Sequence, residues 1–218
     1  MATLLDPSAT ISENSGVLRR IADPDCSLAV WRRAPFADFA PLVEGTPHDL
    51  RFTAEPEGLA DRLAAELAAG GFGGGAALHR ALAEDTAGLA RLFCDALALA
   101  RFELRLEVVR SDSCRKFHAD YVTARLITTY VGEGTDWLDH ADADRVAAGE
   151  EPFRINRLDA FDVGLFKGKL GAGRPAIHRS PPIVGTRGGA RLLLVLNPDA
   201  AAIAGTSHSP LPPPRHLA

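Results

Sequence analysis

Cysteine is scarce in this chain, and what there is does not pair. Cys26, Cys94 and Cys114 are odd in number and far apart in a sequence of 218 residues, which argues against a disulfide framework and for reduced thiols. An excess of positive charge is also missing. Lys and Arg number 24 against 28 Asp and Glu, a net charge of −4, and the basic residues are scattered. That balance gives no track for nucleic acid and no attraction to an anionic membrane. Apolar runs such as Leu192 to Leu196 are far too short to span a bilayer. The start, Met1-Ala2-Thr3-Leu4-Leu5-Asp6, has neither the basic residues nor the apolar stretch of a signal peptide. We therefore expect a cytoplasmic protein with no membrane or nucleic-acid partner.

What is present suits one globular unit. Apolar residues make up 46% and charged residues 24%, enough over this length to bury a sizeable core. Residues 1–25 are polar and lack a period, so they read as a flexible arm. Residues 26–206 read as a single domain, and the Pro-rich stretch 207–218 as a disordered tail. Leu59, Leu63 and Leu67 fall four apart on one helical face, and Leu78, Leu82, Leu89, Leu92, Phe93 and Leu97 repeat the pattern. These predict helices over 57–69 and 76–100. The glycines at 70, 71, 73, 74 and 75 lie between them without a preceding strand or a following Lys-Ser/Thr pair, so they read as a hinge and not a phosphate cradle.

Beyond Ala100 the period changes to strict alternation. Residues 101–109 alternate charged and apolar side chains as a half-buried strand should. Further strands are predicted at 28–31, 116–121, 124–131, 160–167, 176–178 and 191–197. The fold class is therefore α+β: an all-β barrel or jelly roll with helices packed on it.

Chemistry concentrates in Phe117-His118-Ala119-Asp120. On a strand, residues i and i+2 share a face, so His118 and Asp120 would project together. With His178 from a later strand they would form two imidazoles and a carboxylate on one side of a metal. Such a face leaves opposite positions open and suits non-haem Fe(II). The bland alternative is a histidine hydrogen-bonded to an aspartate for structural reasons.

The order Phe117-His118-Ala119-Asp120, Leu126-Ile127-Thr128-Thr129-Tyr130, Phe161-Asp162-Val163-Gly164-Leu165-Phe166, His178-Arg179-Ser180-Pro181 and Arg191-Leu192-Leu193-Leu194 resembles the Fe(II)/2-oxoglutarate dioxygenase superfamily. The likeness covers about residues 100 to 200. More closely, residues 114–137 together with His178-Arg179-Ser180-Pro181 resemble the bacterial domain-of-unknown-function family 1826, whose members tend to be encoded near zinc-homeostasis genes. The superfamily resemblance implies a double-stranded β-helix with His118, Asp120 and His178 as metal ligands. It also implies a basic residue beyond the last ligand that pairs with the 2-oxoglutarate tail. Arg187 and Arg191 compete for that role. A strand holds direction better than a loop, which favours Arg191. Thr128 and Tyr130 alternate on one face of the next strand and could hydrogen-bond the same carboxylate, or be ordinary strand filling.

Other residues invite weaker readings. Cys114 shares the His118 face at about 13 Å on a regular strand. A bulge there would make a Cys/His/Asp/His set favouring Zn(II). Lys167 could meet an anionic substrate or simply be solvated. Asp136, Asp139, Asp142 and Asp144, with His140, lack the glycine and terminal glutamate of a calcium loop. Asp142 or Asp144 is expected to cap a short helix over 145–149. Three functions compete: an Fe(II)/2-oxoglutarate-dependent oxygenase acting on a small-molecule or peptide substrate, a metal-binding or zinc-homeostasis protein without catalysis, and a cupin-like metal-dependent hydrolase or isomerase.

Overall fold

The alternation beyond Ala100 sets the architecture. The computed structural model describes residues 8–112, 115–183 and 189–199. Its strands are β1 (Ala9–Ser12), β2 (Leu28–Trp31), β3 (Leu50–Ala54), β4 (Phe102–Val109), β5 (Ala124–Val131), β6 (Asp136–Leu138), β7 (Asn156–Arg157), β8 (Val163–Lys167), β9 (Ile177–Arg179) and β10 (Arg191–Pro198). Helices α1 (Leu59–Ala69), α2 (Gly75–Leu97) and α3 (His140–Ala147) accompany them, with 3-10 turns at Ser15–Ala22 and Ala40–Val43. Seven strands form one sheet in the order β1-β2-β8-β5-β10-β4-β3, and β7-β6-β9 form a second. The class is mixed α+β.

Period-two side chains divide the large sheet into two faces. Phe102, Leu104 and Leu106 of β4, Leu126 of β5, and Leu192, Leu194 and Leu196 of β10 are fully buried. They join Leu63, Leu67, Leu82, Leu89 and Phe93 from α1 and α2 in the main core. Each such side chain contributes roughly 1.5–3 kcal/mol by burial. The intervening residues, Arg105, Glu107, Arg125, Ile127, Thr129, Arg191, Leu193 and Val195, belong to the opposite face. There the small sheet packs through a second cluster containing Leu28, Val30, Ile127, Trp137, Leu158 and Phe166. The chain crosses between the sheets through a tight turn after β5. Gly132 has φ +84°, and a Cβ on Gly134 would lie 1.9 Å from the Leu158 carbonyl oxygen.

The structure departs from the sequence expectations in three places. Residues 9–25 are not a loose arm. β1 pairs in parallel with β2, and Val17, Leu18 and Ile21 are buried in the main core. Three apolar residues in so short a segment escape a period test, yet they suffice to anchor one turn. Residues 116–121 do not form a regular strand; His118 makes an isolated bridge instead. The short helix runs from His140 and not Arg145, capped by the Asp139 side chain, which accepts from the Asp142 amide. The expected tail, 207–218, lies outside the described residues. Among the described residues no helix is long and apolar enough to cross a membrane.

Candidate metal centre

His118 and His178 meet through their backbones. Each donates its N–H to the other's carbonyl at 2.9 Å, and the two rings lie 4.8 Å apart between centroids. Asp120, on the same short segment as His118, comes within 3.2 Å of His178 Nε2 through Oδ2 and within 3.8 Å of His118 Nε2 through Oδ1. One ligand atom from each residue can be chosen so that all three lie within 4.8 Å of one another.

Backbone carbonyls fix which nitrogens face inward. His118 Nδ1 lies 2.9 Å from the Lys116 carbonyl oxygen, and His178 Nδ1 lies 3.3 Å from that of Ala176. A carbonyl can only accept, so each contact assigns the hydrogen to Nδ1, and in the neutral ring that leaves the Nε2 lone pair facing inward. This is how metal-binding histidines are commonly oriented. Asp120 Oδ2 is buried and accepts no well-formed hydrogen bond, although it stands at ion-pair distance from His178. Its partner oxygen accepts from Arg125 Nη1 at 2.7 Å. Burial acts to raise the Asp120 carboxyl, but His178, Arg125 and His118 outweigh it and hold the group below the usual carboxylate range. Two imidazole lone pairs and one orphaned carboxylate oxygen make a donor set that fits a divalent cation.

The site opens on a cavity of about 110 Å³ whose lining includes Arg105, Arg125, Ile127, Thr135, His178 and Ser180. Arg191 stands behind Thr135 and Ser180. It is 1% exposed and donates to Ser180 Oγ at 3.1 Å, Thr129 Oγ1 at 3.1 Å and Thr135 Oγ1 at 3.3 Å, while its Nε finds no partner. All its hydrogen-bond acceptors among the described residues are neutral. Burial pushes its pKa down to about 10, with Asp136 and Glu133 opposing that fall and Arg157 adding to it.

The chain matches the family described as protein of unknown function (DUF1826) over residues 12–197. It belongs to that family. No curated protein matches it significantly. Among solved structures it is similar to the dioxygenase for auxin oxidation 1 from Arabidopsis thaliana in a 2-oxoglutarate binary complex, at 10% identity and a TM-score of 0.47, over 87% of this chain and 91% of that one. It is also similar to a Pseudomonas putida prolyl-4-hydroxylase, at 13% identity and a TM-score of 0.40, over 85% of this chain and 99% of that one. A third is a full-length Neurospora crassa protein in complex with alpha-KG and 5-formyluracil, at 10% identity and a TM-score of 0.41, over 84% and 76%. Overlap at this level assigns neither fold nor activity to the DUF1826 chain.

Two of the expected co-substrate residues sit elsewhere in this DUF1826 chain. Thr128 and Tyr130 share a face, as period two requires, but it is the helix-facing one. Tyr130 is buried among Phe39 and Phe161, and its hydroxyl donates to Asp85 Oδ2 at 2.6 Å. Thr129, on the opposite face, is the residue that reaches Arg191. Arg187 and Cys114 lie outside the described residues. Lys167 is neither solvated nor in the cavity: it is buried, and its ammonium donates to the Asp23 carbonyl at 2.7 Å. The acidic cluster has structural partners. Asp136 pairs with Arg157 and Arg179, Asp144 with Arg174, and Asp142 accepts from the Phe153 and Arg154 amides.

Sequence reasoning missed Arg125, Thr129, Thr135 and Ser180. Signals existed for two of them. Thr129 is four residues after Arg125 and two after Ile127, hence on one strand face with both, and Ser180 follows His178 at i+2.

Proposed function

We propose that this protein is a non-haem Fe(II)/2-oxoglutarate-dependent oxygenase built on a double-stranded β-helix. His118, Asp120 and His178 would hold the metal, and Arg191 the far carboxylate of the co-substrate. The observation that carries the reading is a buried guanidinium with no carboxylate partner among the described residues. It is hydrogen-bonded to Thr135 and Ser180, which line the same cavity as His118 and His178. A buried charge that lacks its counter-ion is costly. A dicarboxylate reaching from the triad to Arg191 would supply that ion with two parallel hydrogen bonds.

When bound, Fe(II) would supply dioxygen chemistry that no side chain of the chain can perform alone. The chain's own residues would orient and protect. The Lys116 and Ala176 carbonyls keep both Nε2 atoms aimed inward. Thr129, Thr135 and Ser180 steer the Arg191 fork. Ile127, Leu193 and Val195 give the cavity an apolar floor that limits water around the reacting groups. The substrate would be a small molecule or an exposed peptide side chain.

A second reading, a metal-binding protein without oxidation, is favoured by the three hydroxyls that already occupy the Arg191 fork. Zn(II) would then be the resident ion. Metal analysis of protein purified without chelator, followed by anaerobic calorimetry with 2-oxoglutarate on the iron-loaded protein, separates the two. Micromolar co-substrate binding is the expected result. A wild type that binds metal but no 2-oxoglutarate would sink the oxygenase reading and leave the second standing.

A further inference from the structure

We propose that Arg125 is a positioning residue that limits Asp120 to one metal-binding oxygen. Its Nη1 donates to Asp120 Oδ1 at 2.7 Å, which leaves Oδ2 as the orphaned atom facing His178. A carboxylate with one oxygen engaged in this way is a monodentate ligand. Three protein donors then cover one face of an octahedral ion, and three positions stay open for other ligands.

The guanidinium is itself aimed by a chain of contacts. Arg125 Nε donates to Asn197 Oδ1 at 2.6 Å, Asn197 Nδ2 donates to Glu103 Oε1 at 3.1 Å, and Glu103 Oε2 accepts from Arg51 Nε at 2.9 Å. Asn197 is buried, and β5, β10 and β4 lie side by side in the sheet. Three adjacent strands therefore fix the angle of one carboxylate. Sequence proximity adds to this, since Arg125 follows Asp120 by only five residues.

Charge and geometry make opposite predictions, which allows a clear test. A cation beside the metal repels it, so removal of Arg125 would tighten metal binding if charge alone mattered. If Arg125 works as a clamp, removal loosens it, in line with the roughly 10–100-fold that supporting contacts to metal ligands are worth. We would titrate the full chain with Mn(II) and follow affinity and water-proton relaxation together. Arg125→Met should weaken Mn(II) by about 10-fold or more, and relaxivity per bound ion should fall by roughly a third as Asp120 takes one of the three open positions. Arg125→Gln, which keeps a neutral donor, should restore much of both. Asn197→Ala retains the arginine and should show the same trends at a few-fold level, which covers the case where Arg125→Met does not fold.

The inference rests on the metal-site reading, and the experiment distinguishes the two failures. A wild type that binds no Mn(II) overturns both. A wild type that binds Mn(II), with folded variants that bind it equally or more tightly at unchanged relaxivity, overturns the clamp alone.

Discussion

His178 Nε2 and Asp120 Oδ2 lie 3.2 Å apart, while His178 Nδ1 faces the Ala176 carbonyl on the other side of the ring. Both groups favour positive charge at that spot, as a proton on Nε2 or as a metal ion in its place. The pair is therefore arranged to share one cation, and a metal ion would compete with a proton for the place.

Loss of any one ligand should remove the ion and spare the fold. The His118 side chain is 39% exposed, so His118→Ala should change stability by less than about 1 kcal/mol. His178 packs against Phe166 at 4.8 Å, and His178→Ala should cost about 1–3 kcal/mol. Together with Asp120→Ala, each variant should lose bound Fe(II) or Mn(II) by elemental analysis while keeping its circular dichroism. A full equivalent retained in all three would show that the triad is wrong.

Arg191→Ala should weaken 2-oxoglutarate by about 100-fold or more with metal content unchanged, since each bond to a charged partner is worth about 1.5–3 kcal/mol. Arg191→Lys should recover only part, because an ammonium cannot make the paired contact. Thr129→Val should lose less than either. Isothermal calorimetry under argon reads all three, and wild-type affinity in a folded Arg191→Ala variant would exclude Arg191 from the co-substrate.

The same arginine has a signature in stability. Its pKa falls to about 10 on burial, so the folded state holds its proton less tightly than the unfolded chain. That penalty applies in full below pH 10 and lifts only as pH rises beyond it. At roughly 3 kcal/mol it cancels only part of the three hydroxyl contacts the charged side chain makes, at about 1.5–3 kcal/mol each. Arg191→Met should therefore cost the unliganded protein about 2–5 kcal/mol in urea at neutral pH. A variant as stable as wild type would mean that the hydroxyl contacts contribute nothing to the fold.

Tyr130→Phe tests the correction to the site. It leaves an Asp85 oxygen without its hydroxyl donor and should cost about 1–3 kcal/mol, with metal and 2-oxoglutarate binding unchanged. Weaker 2-oxoglutarate binding at full metal content would return Tyr130 to the cavity.

Burial, with Asp95 and Glu57 adding to it, pushes the Cys94 thiol up to about 11. The group stays protonated, and hence inert, through mildly alkaline pH. A thiol reagent should spare Cys94 in the folded chain and find three groups in concentrated guanidinium chloride, as a protein from a reducing compartment would give. One reactive group after unfolding would point to a disulfide.

Periodicity carried most of what could be read beforehand. β4 alternates as residues 101–109 predict, β2 and β5 keep the expected bounds of 28–31 and 124–131, and α1 and α2 follow their leucine spacing. β3, β6 and β7 gave no signal; they are short, and partners distant in sequence define them. Parity located Thr128 and Tyr130 together but could not say which face looks at helices, since that depends on α2 docking through Asp85 to the Tyr130 hydroxyl. That His118 and Asp120 come together was legible from their separation by two, although the strand expected there is only an isolated bridge. Arg125 was not, because its importance lies in which oxygen of Asp120 it touches.

The bridge between residues 118 and 178 is made of backbone alone. The bridge itself asks nothing of the imidazoles at those positions. A homologue could exchange either histidine for another side chain and keep both Cα atoms where they are. Descent with loss of chemistry would then leave the shape intact, and family membership could outlast the reaction.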